Sequence, residues 1–168
     1  MTAPAAELKR TSVGIGQLAV AGDAGALLIA YGLGSCVGVS VYDAQARVGA
    51  LAHILLPDAD GKARDAREPA RYADTGIEAL IEALLSAGAF KRRLVVKLAG
   101  GAAVLGPANA EKFKIGERNA EAIRDRLKRH GLAPVAADIG GTRGRTLELH
   151  LSTGKTYVRT AASPASEL

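Results

Sequence analysis

Apolar and polar positions alternate in short runs along this chain, and the alternation predicts strands at Ser12–Leu18, Ala26–Tyr31, Cys36–Tyr42, Val48–Ile54, Leu94–Ala99, Val135–Ile139, Leu147–Leu151 and Lys155–Arg159. Two stretches change period. Ile77, Leu80, Ile81, Leu84 and Leu85 recur at three-four spacing and predict a helix from Thr75 to Ala87, with Thr75 and Glu78 as a capping box and Gly88 as the stop. Ala120, Ile123 and Leu127 mark the inner face of a second helix from Glu117 to His130, with Asp125 and Arg129 as an exposed i,i+4 pair and Gly131 at its end. Many strands with two clear helices imply a β-rich α+β domain.

The turn signals divide the chain no further. Residues 58–70 are polar and rich in turn formers, which predicts a long loop after the strand ending at Ile54. A loop there could cover a site or serve as a solvated connector, and both readings stay open. The domain organisation expected is a flexible N-terminus over 1–11, one domain over 12–160 and a disordered tail over 161–168. At 168 residues a single domain buries about 70% of its unfolded surface and needs no staples.

Composition narrows the setting. A hydrophobic content of 48% and a charged content of 23% are those of an ordinary globular protein. A single cysteine cannot form an internal disulfide, the N-terminus lacks the apolar stretch of a signal peptide, and no segment approaches a membrane span, so a cytoplasmic location is expected with no membrane insertion. The 22 basic residues against 17 acidic give a charge of +5, but they are dispersed, with only Lys91-Arg92-Arg93 clustered, and there are six aromatics and no tryptophan to stack bases. Nucleic acid is therefore disfavoured as a partner. Gly32-x-Gly34 lacks the third glycine of a dinucleotide fingerprint and leads into a strand, and no Lys-Ser/Thr pair follows any glycine pair, so neither nucleotide cofactor nor P-loop is expected. The scattered histidines and lone cysteine show no zinc spacing, and no metal is expected.

Candidate chemistry rests on Cys36 and His53. A thiol becomes a strong nucleophile when a neighbour takes its proton, and imidazole does this near neutral pH. The two strands that carry them are separated by Asp43-Ala44-Gln45-Ala46-Arg47, short enough for a hairpin. With Ala44 and Gln45 as the turn, Val41 faces Val48, Val39 faces Ala50, Val37 faces Ala52 and Cys36 falls opposite His53, about 4.5–5.5 Å away between Cβ atoms. Taken alone, a lone cysteine among small residues is more often a buried core thiol, and a histidine on an apolar strand a satisfied core residue.

Ordered motifs tip that balance. The runs Gly32-Leu33-Gly34-Ser35-Cys36-Val37, Tyr42-Asp43 and Gly49-Ala50-Leu51-Ala52-His53-Ile54-Leu55-Leu56-Pro57 resemble the CheD family of bacterial chemotaxis proteins. Arg71-Tyr72-Ala73-Asp74-Thr75, Lys97-Leu98-Ala99-Gly100-Gly101-Ala102, Ile115-Gly116-Glu117-Arg118-Asn119, Gly140-Gly141-Thr142-Arg143-Gly144-Arg145 and Thr153-Gly154-Lys155 follow in order, so the resemblance spans roughly residues 12–160.

The resemblance implies a chemoreceptor glutamine deamidase on a β-sandwich flanked by two to three helices, related to cysteine hydrolases that include a deamidating toxin. It implies that Cys36 is the nucleophile, held as a thiolate beside a protonated His53, its base and acid. The expected partners are methyl-accepting chemoreceptors and a CheC-type phosphatase, with no cofactor. Ser35 is a supporting candidate whose neighbouring backbone N–H could bind an oxyanion. One departure stands out: the family's threonine six residues before the cysteine is Ala30 here. Ser35, Thr75 and Thr142 are candidates to replace its hydroxyl, and a catalytically weak adaptor is the alternative reading. Arg143 and Arg145 could meet acidic groups on a receptor helix or form a solvated face, while His130 and His150 look structural.

Overall fold

A computed structural model describes residues 7–104 and 110–168. Ten strands and two α-helices follow in the order β1 (Lys9–Ser12), β2 (Leu18–Ala21), β3 (Ala26–Leu33), β4 (Val37–Asp43), β5 (Val48–Ile54), α1 (Ala73–Ser86), β6 (Val95–Gly100), α2 (Ala110–Arg129), β7 (Pro134–Ile139), β8 (Arg145–His150), β9 (Lys155–Thr160) and β10 (Ser163–Glu167). The mixed α+β class read from the hydrophobic pattern is what the strands and helices form.

The strands make two five-stranded sheets, one ordered β1-β3-β8-β9-β10 and the other β2-β5-β4-β6-β7. Most neighbours are antiparallel, but β1 pairs parallel with β3, and β6 pairs parallel with β7. A parallel pair needs a long crossover, and α2 supplies it between β6 and β7. On one face of the second sheet, Val37, Val39, Val41, Ala50, Ala52 and Ile54 pack against Ile77, Leu80 and Leu84 of α1 and Ile123 and Leu127 of α2. The opposite face turns toward the first sheet, where Cys36, Leu51 and Ala99 share a core with Leu28, Ala30, Leu33, Leu147 and Leu149. The period-two alternation of β4 and β5 is thus buried on both faces, which explains why every residue of β5 is buried. Between the sheets, the buried hydroxyls of Ser40 and Thr156 hydrogen-bond at 2.8 Å.

Several sequence expectations need correction. Ser12–Leu18 is not one strand: the chain leaves β1 at Ser12, crosses between the sheets, and enters β2 at Leu18. The tail expected to be disordered carries β10, which pairs antiparallel with β9 and extends the first sheet. Within the N-terminal segment expected to be flexible, Lys9 already begins β1, and residues 1–6 lie outside the described residues. Helix α1 starts at Tyr72 as N-cap with no side-chain cap bond, so Thr75 and Glu78 form no capping box. Glu78 instead reaches α2, with its Oε1 2.8 Å from His130 Nε2 and 3.6 Å from Arg126, and among the described residues no ion pair joins Asp125 to Arg129. Both glycine stops hold: Gly88 and Gly131 adopt φ of +97° and +72°, a left-handed conformation that costs glycine little.

Candidate active site

The hairpin of β4 and β5 forms, but with a different turn. Asp43 pairs with Val48, leaving the four residues Ala44–Arg47 as the loop. Two-residue hairpin turns need positive φ at their central positions, which Ala and Gln do not favour. The Asp43 carboxylate instead accepts hydrogen bonds from the N–H groups of Gln45 (3.0 Å) and Ala46 (3.1 Å), and Arg47 closes the loop at φ +55°. The register therefore moves by two residues: His53 lies opposite Gly38 rather than Cys36, and the last ladder pair is Val37 with Ile54.

A two-residue move keeps every side chain on its face. Cys36 and His53 are diagonal neighbours, a relationship that spans about 7–8 Å between backbone positions and lies within reach of an imidazole. Both belong to the side of the sheet that meets the first sheet, since Cys36 clusters with Leu51, which lies two residues before His53. Cys36 is 6% exposed and His53 1%.

The segment between β1 and β2 fastens His53 at three points. Gly16 N–H donates to the His53 carbonyl, His53 N–H donates to the Gln17 carbonyl, both at 2.9 Å, and His53 Nδ1 lies 3.0 Å from the carbonyl oxygen of Val13. A carbonyl only accepts, so Nδ1 carries the proton and Nε2 of the neutral ring is the free base. Nε2 is buried and has no hydrogen-bond partner.

Cys36 sits at the end of the loop that leads into β4. Its carbonyl accepts from Gly101 N–H at 2.8 Å, and the Gly34 carbonyl accepts from Ala102 N–H at 2.7 Å. This close approach requires glycine at position 100, where φ is +119° and an added Cβ would collide with the Cys36 carbonyl oxygen. From α2, Asn119 Nδ2 donates to the carbonyls of Ser35 and Leu55, each at 2.9 Å. Asn119 lies inside the motif Ile115–Asn119, and no sequence signal gives it a role, because its contacts join segments far apart in the chain.

Burial sets the charge state of the pair. Desolvation raises the Cys36 thiol above its ordinary value, opposed in part by the residue's own backbone N–H. Desolvation lowers the His53 imidazole, opposed in part by the Val13 carbonyl. Both directions favour the neutral forms of thiol and imidazole over the thiolate and imidazolium that the resemblance implies.

The remaining candidates separate. Ala30 is buried on β3, opposite Leu147 and in the same core cluster as Cys36, so the position of the family's threonine faces the site but carries no hydroxyl. Ser35 flanks Cys36 and contributes its carbonyl to Asn119. Thr75 lies in α1, across the sheet from Cys36. Thr142 lines a cavity of about 380 Å³ with Gly101, Ala103, Glu117, Glu121 and Arg124, next to the Cys36 loop. Arg145 is neither solvated nor free for a partner: it is 8% exposed, and its guanidinium bonds Asp138 at 3.0 Å and reaches the Arg143 carbonyl. His150 stacks edge-on against Tyr157 and lies 3.3 Å from Glu148, and His130 pairs with Glu78, both structural placements. The loop over 58–70 ties to α1 through Arg64 and Glu82 (3.1 Å) and through Ala59 N–H to Asp74, and its end meets the segment that holds His53, Ala70 N–H donating to the Gly16 carbonyl at 2.8 Å.

Comparison with known proteins completes the picture. The family model described as CheD chemotactic sensory transduction matches residues 55–160. The chain is 48% identical to a probable chemoreceptor glutamine deamidase CheD of Symbiobacterium thermophilum over 159 residues, 94% of this chain and 96% of that one. The chain belongs to the CheD family. It is 43% identical to the chemoreceptor glutamine deamidase CheD of Thermotoga maritima, covering 88% of this chain and 89% of the relative, and 43% identical to a probable CheD of Pyrococcus horikoshii, covering 90% and 93%. Cys36 and His53 precede the interval matched by the CheD model, and the near full-length relatives are what extend the CheD match over them. Among the described residues, no helix is long and apolar enough to cross a membrane.

Proposed function

We propose that this protein deamidates specific glutamine side chains of methyl-accepting chemoreceptors to glutamate, with Cys36 as nucleophile and His53 as general base and acid. The observation that carries this reading is the His53 tautomer: Nδ1 is committed to the Val13 carbonyl, leaving a buried, unpartnered Nε2 on the face of the sheet that also bears Cys36. Nε2 takes the thiol proton as the sulfur attacks the glutamine carboxamide carbon. The Cys36 N–H is suited to stabilise the resulting oxyanion. Collapse of the tetrahedral adduct breaks the C–N bond, His53 returns the proton to the departing ammonia, and a thioester remains. Water, deprotonated by His53, then hydrolyses the thioester to glutamate and regenerates the thiol.

The same reading makes residues 12–160 one catalytic domain, its two sheets a β-sandwich of the cysteine-hydrolase type. It places the protein in the cytoplasm with the receptors' signalling segments, and a CheC-type phosphatase is a second partner on the strength of the family resemblance. The adaptor alternative rested on the missing hydroxyl at Ala30. With the Val13 carbonyl oriented to hold the imidazole, that hydroxyl is not needed to set the tautomer.

Ammonia release from a purified receptor signalling fragment tests the proposal. The wild-type protein is expected to release ammonia, whereas Cys36→Ala and His53→Gln release none above background. Equal release by Cys36→Ala would refute the role of the thiol.

A further inference from the structure

The ladder between β4 and β5 ends at Val37 with Ile54, one residue short of Cys36. Beyond that pair the two strand ends present carbonyl groups, Ser35 on one side and Leu55 on the other, and two carbonyls cannot bond each other. Asn119 resolves this from α2. Its side-chain NH2 has two protons, and Nδ2 lies 2.9 Å from each carbonyl oxygen. The amide orientation follows from the contacts, because the reverse would aim Oδ1 at two acceptors. Asn119 is fully buried, and its Oδ1 has no hydrogen-bond partner. A buried amide with an unsatisfied acceptor is costly, so the two donor bonds must outweigh that cost.

We infer that Asn119 is the positioning residue of the site: it bridges the ends of the Cys36 and His53 strands, and so sets both the spacing of thiol and imidazole and the direction of the Cys36 amide. The second effect follows from peptide planarity. In a trans peptide the C=O and N–H point in opposite directions, so holding the Ser35 oxygen holds the Cys36 N–H. That N–H adjoins the attacking sulfur, and an amide held there is placed to meet an oxyanion formed on attack. The bridge also reaches Leu55, two residues beyond His53, and so restrains the other strand where the sheet ladder no longer does. Its hydrogen bonds among the described residues go to these two carbonyls and not to the thiol or the imidazole.

The inference rests on the deamidase reading, and its test separates the two. Wild-type, Asn119→Leu and Asn119→Asp proteins are compared in kcat and KM for a receptor signalling fragment, and in the rate at which iodoacetamide alkylates Cys36. Leucine removes both donors, and aspartate presents a carboxylate to two carbonyls at almost unchanged size. In folded variants kcat is expected to fall at least about tenfold with KM little changed, and alkylation to slow several-fold, since sub-ångström misplacement is felt in the chemical step. A smaller loss of kcat, or a loss confined to KM, would overturn the inference. If wild-type protein converts no glutamine, the deamidase reading fails by itself, and alkylation alone decides: slower in the variants supports the bridge, and equal rates overturn it. Should neither variant fold, hydrogen exchange of the Asn119 side-chain NH2 in wild-type protein gives the answer. Protection of both protons supports the bridge, and exchange of either at the rate of a free amide overturns it.

Discussion

His53 donates through Nδ1 to the carbonyl oxygen of Val13, 3.0 Å away across the gap between the two sheets. Val13 is itself held in place, its N–H bonded to the Ile29 carbonyl of β3 at 2.7 Å. A backbone carbonyl thus orients the imidazole, in a chain whose residue 30 is alanine where the family has a threonine hydroxyl.

Burial lowers the His53 pKa below its ordinary 6.5, so the ring is neutral at pH 7 and must be neutral to act as base. The kcat/KM profile is expected to rise through a midpoint below 6.5 and to be flat by pH 7. Stability follows the same group. Between the folded pKa and 6.5 the unfolded chain binds the extra proton, so stability is present above 6.5 and is lost as pH falls below it. Thermal unfolding between pH 7.5 and 5.5 should show this loss, with a shallower dependence in His53→Gln.

Burial raises the Cys36 thiol, which disfavours a standing thiolate at mildly acidic pH. Alkylation of Cys36 by iodoacetamide is expected to accelerate as pH rises above 8. A rate plateau near pH 6, abolished by His53→Ala, would instead reveal the ion pair.

Restoring a threonine at position 30 tests whether the carbonyl suffices. Ala30 is fully buried among apolar neighbours, and an unpartnered hydroxyl there costs about 1–3 kcal/mol. Ala30→Thr should lower the denaturation midpoint and leave kcat within about twofold of wild type. A tenfold or larger gain in kcat would show that Val13 does not orient the ring adequately.

Gly100 tests the packing beneath Cys36. Gly100→Ala meets both an unfavourable φ of +119° and the Cys36 carbonyl, whereas Gly131→Ala meets only an unfavourable φ of +72° in open space. Urea unfolding should show a loss of about 1 kcal/mol for Gly131→Ala and at least twice that for Gly100→Ala, the latter with loss of activity.

Asp43 anchors the far end of the hairpin. Burial alone would raise its carboxyl, but the Arg93 guanidinium and the N–H groups of Phe90 and Ala46 hold it well below the usual range. Asp43→Ala should cost about 1–3 kcal/mol in denaturant unfolding, because it removes the buried acceptor of several part-buried donors. Arg93→Ala should cost less, since Asp43 keeps its backbone donors and the Arg93 side chain is one-third exposed.

Much of this architecture was legible from period alone: β4, β5, β8 and α1 lie within two residues of where alternation or three-four spacing puts them, whereas α2 ends as expected but starts at Ala110, seven residues before Glu117. The hairpin register was not, because loop length alone points to Ala44 and Gln45 as the turn, while the Asp43 side chain builds a longer loop. Cys36 and His53 could be singled out as residue types inside ordered motifs. Their diagonal relationship could not, since it depends on the turn, nor could the Val13 carbonyl and the Asn119 bridge, since backbone acceptors leave no mark in a residue string and these contacts join segments at least 40 positions apart. The strand at Ser163–Glu167 escaped notice because its five exposed residues carry no apolar alternation.

The most direct measurement is peptide mass spectrometry of a receptor fragment incubated with the protein in water enriched in oxygen-18. Attack by Cys36 followed by hydrolysis replaces the glutamine amine with one solvent oxygen, so specific glutamines should gain about 3 Da in labelled water and about 1 Da in ordinary water, and Cys36→Ala should produce neither. Conversion by Cys36→Ala at the wild-type rate, or no conversion by the wild-type protein, would contradict the account.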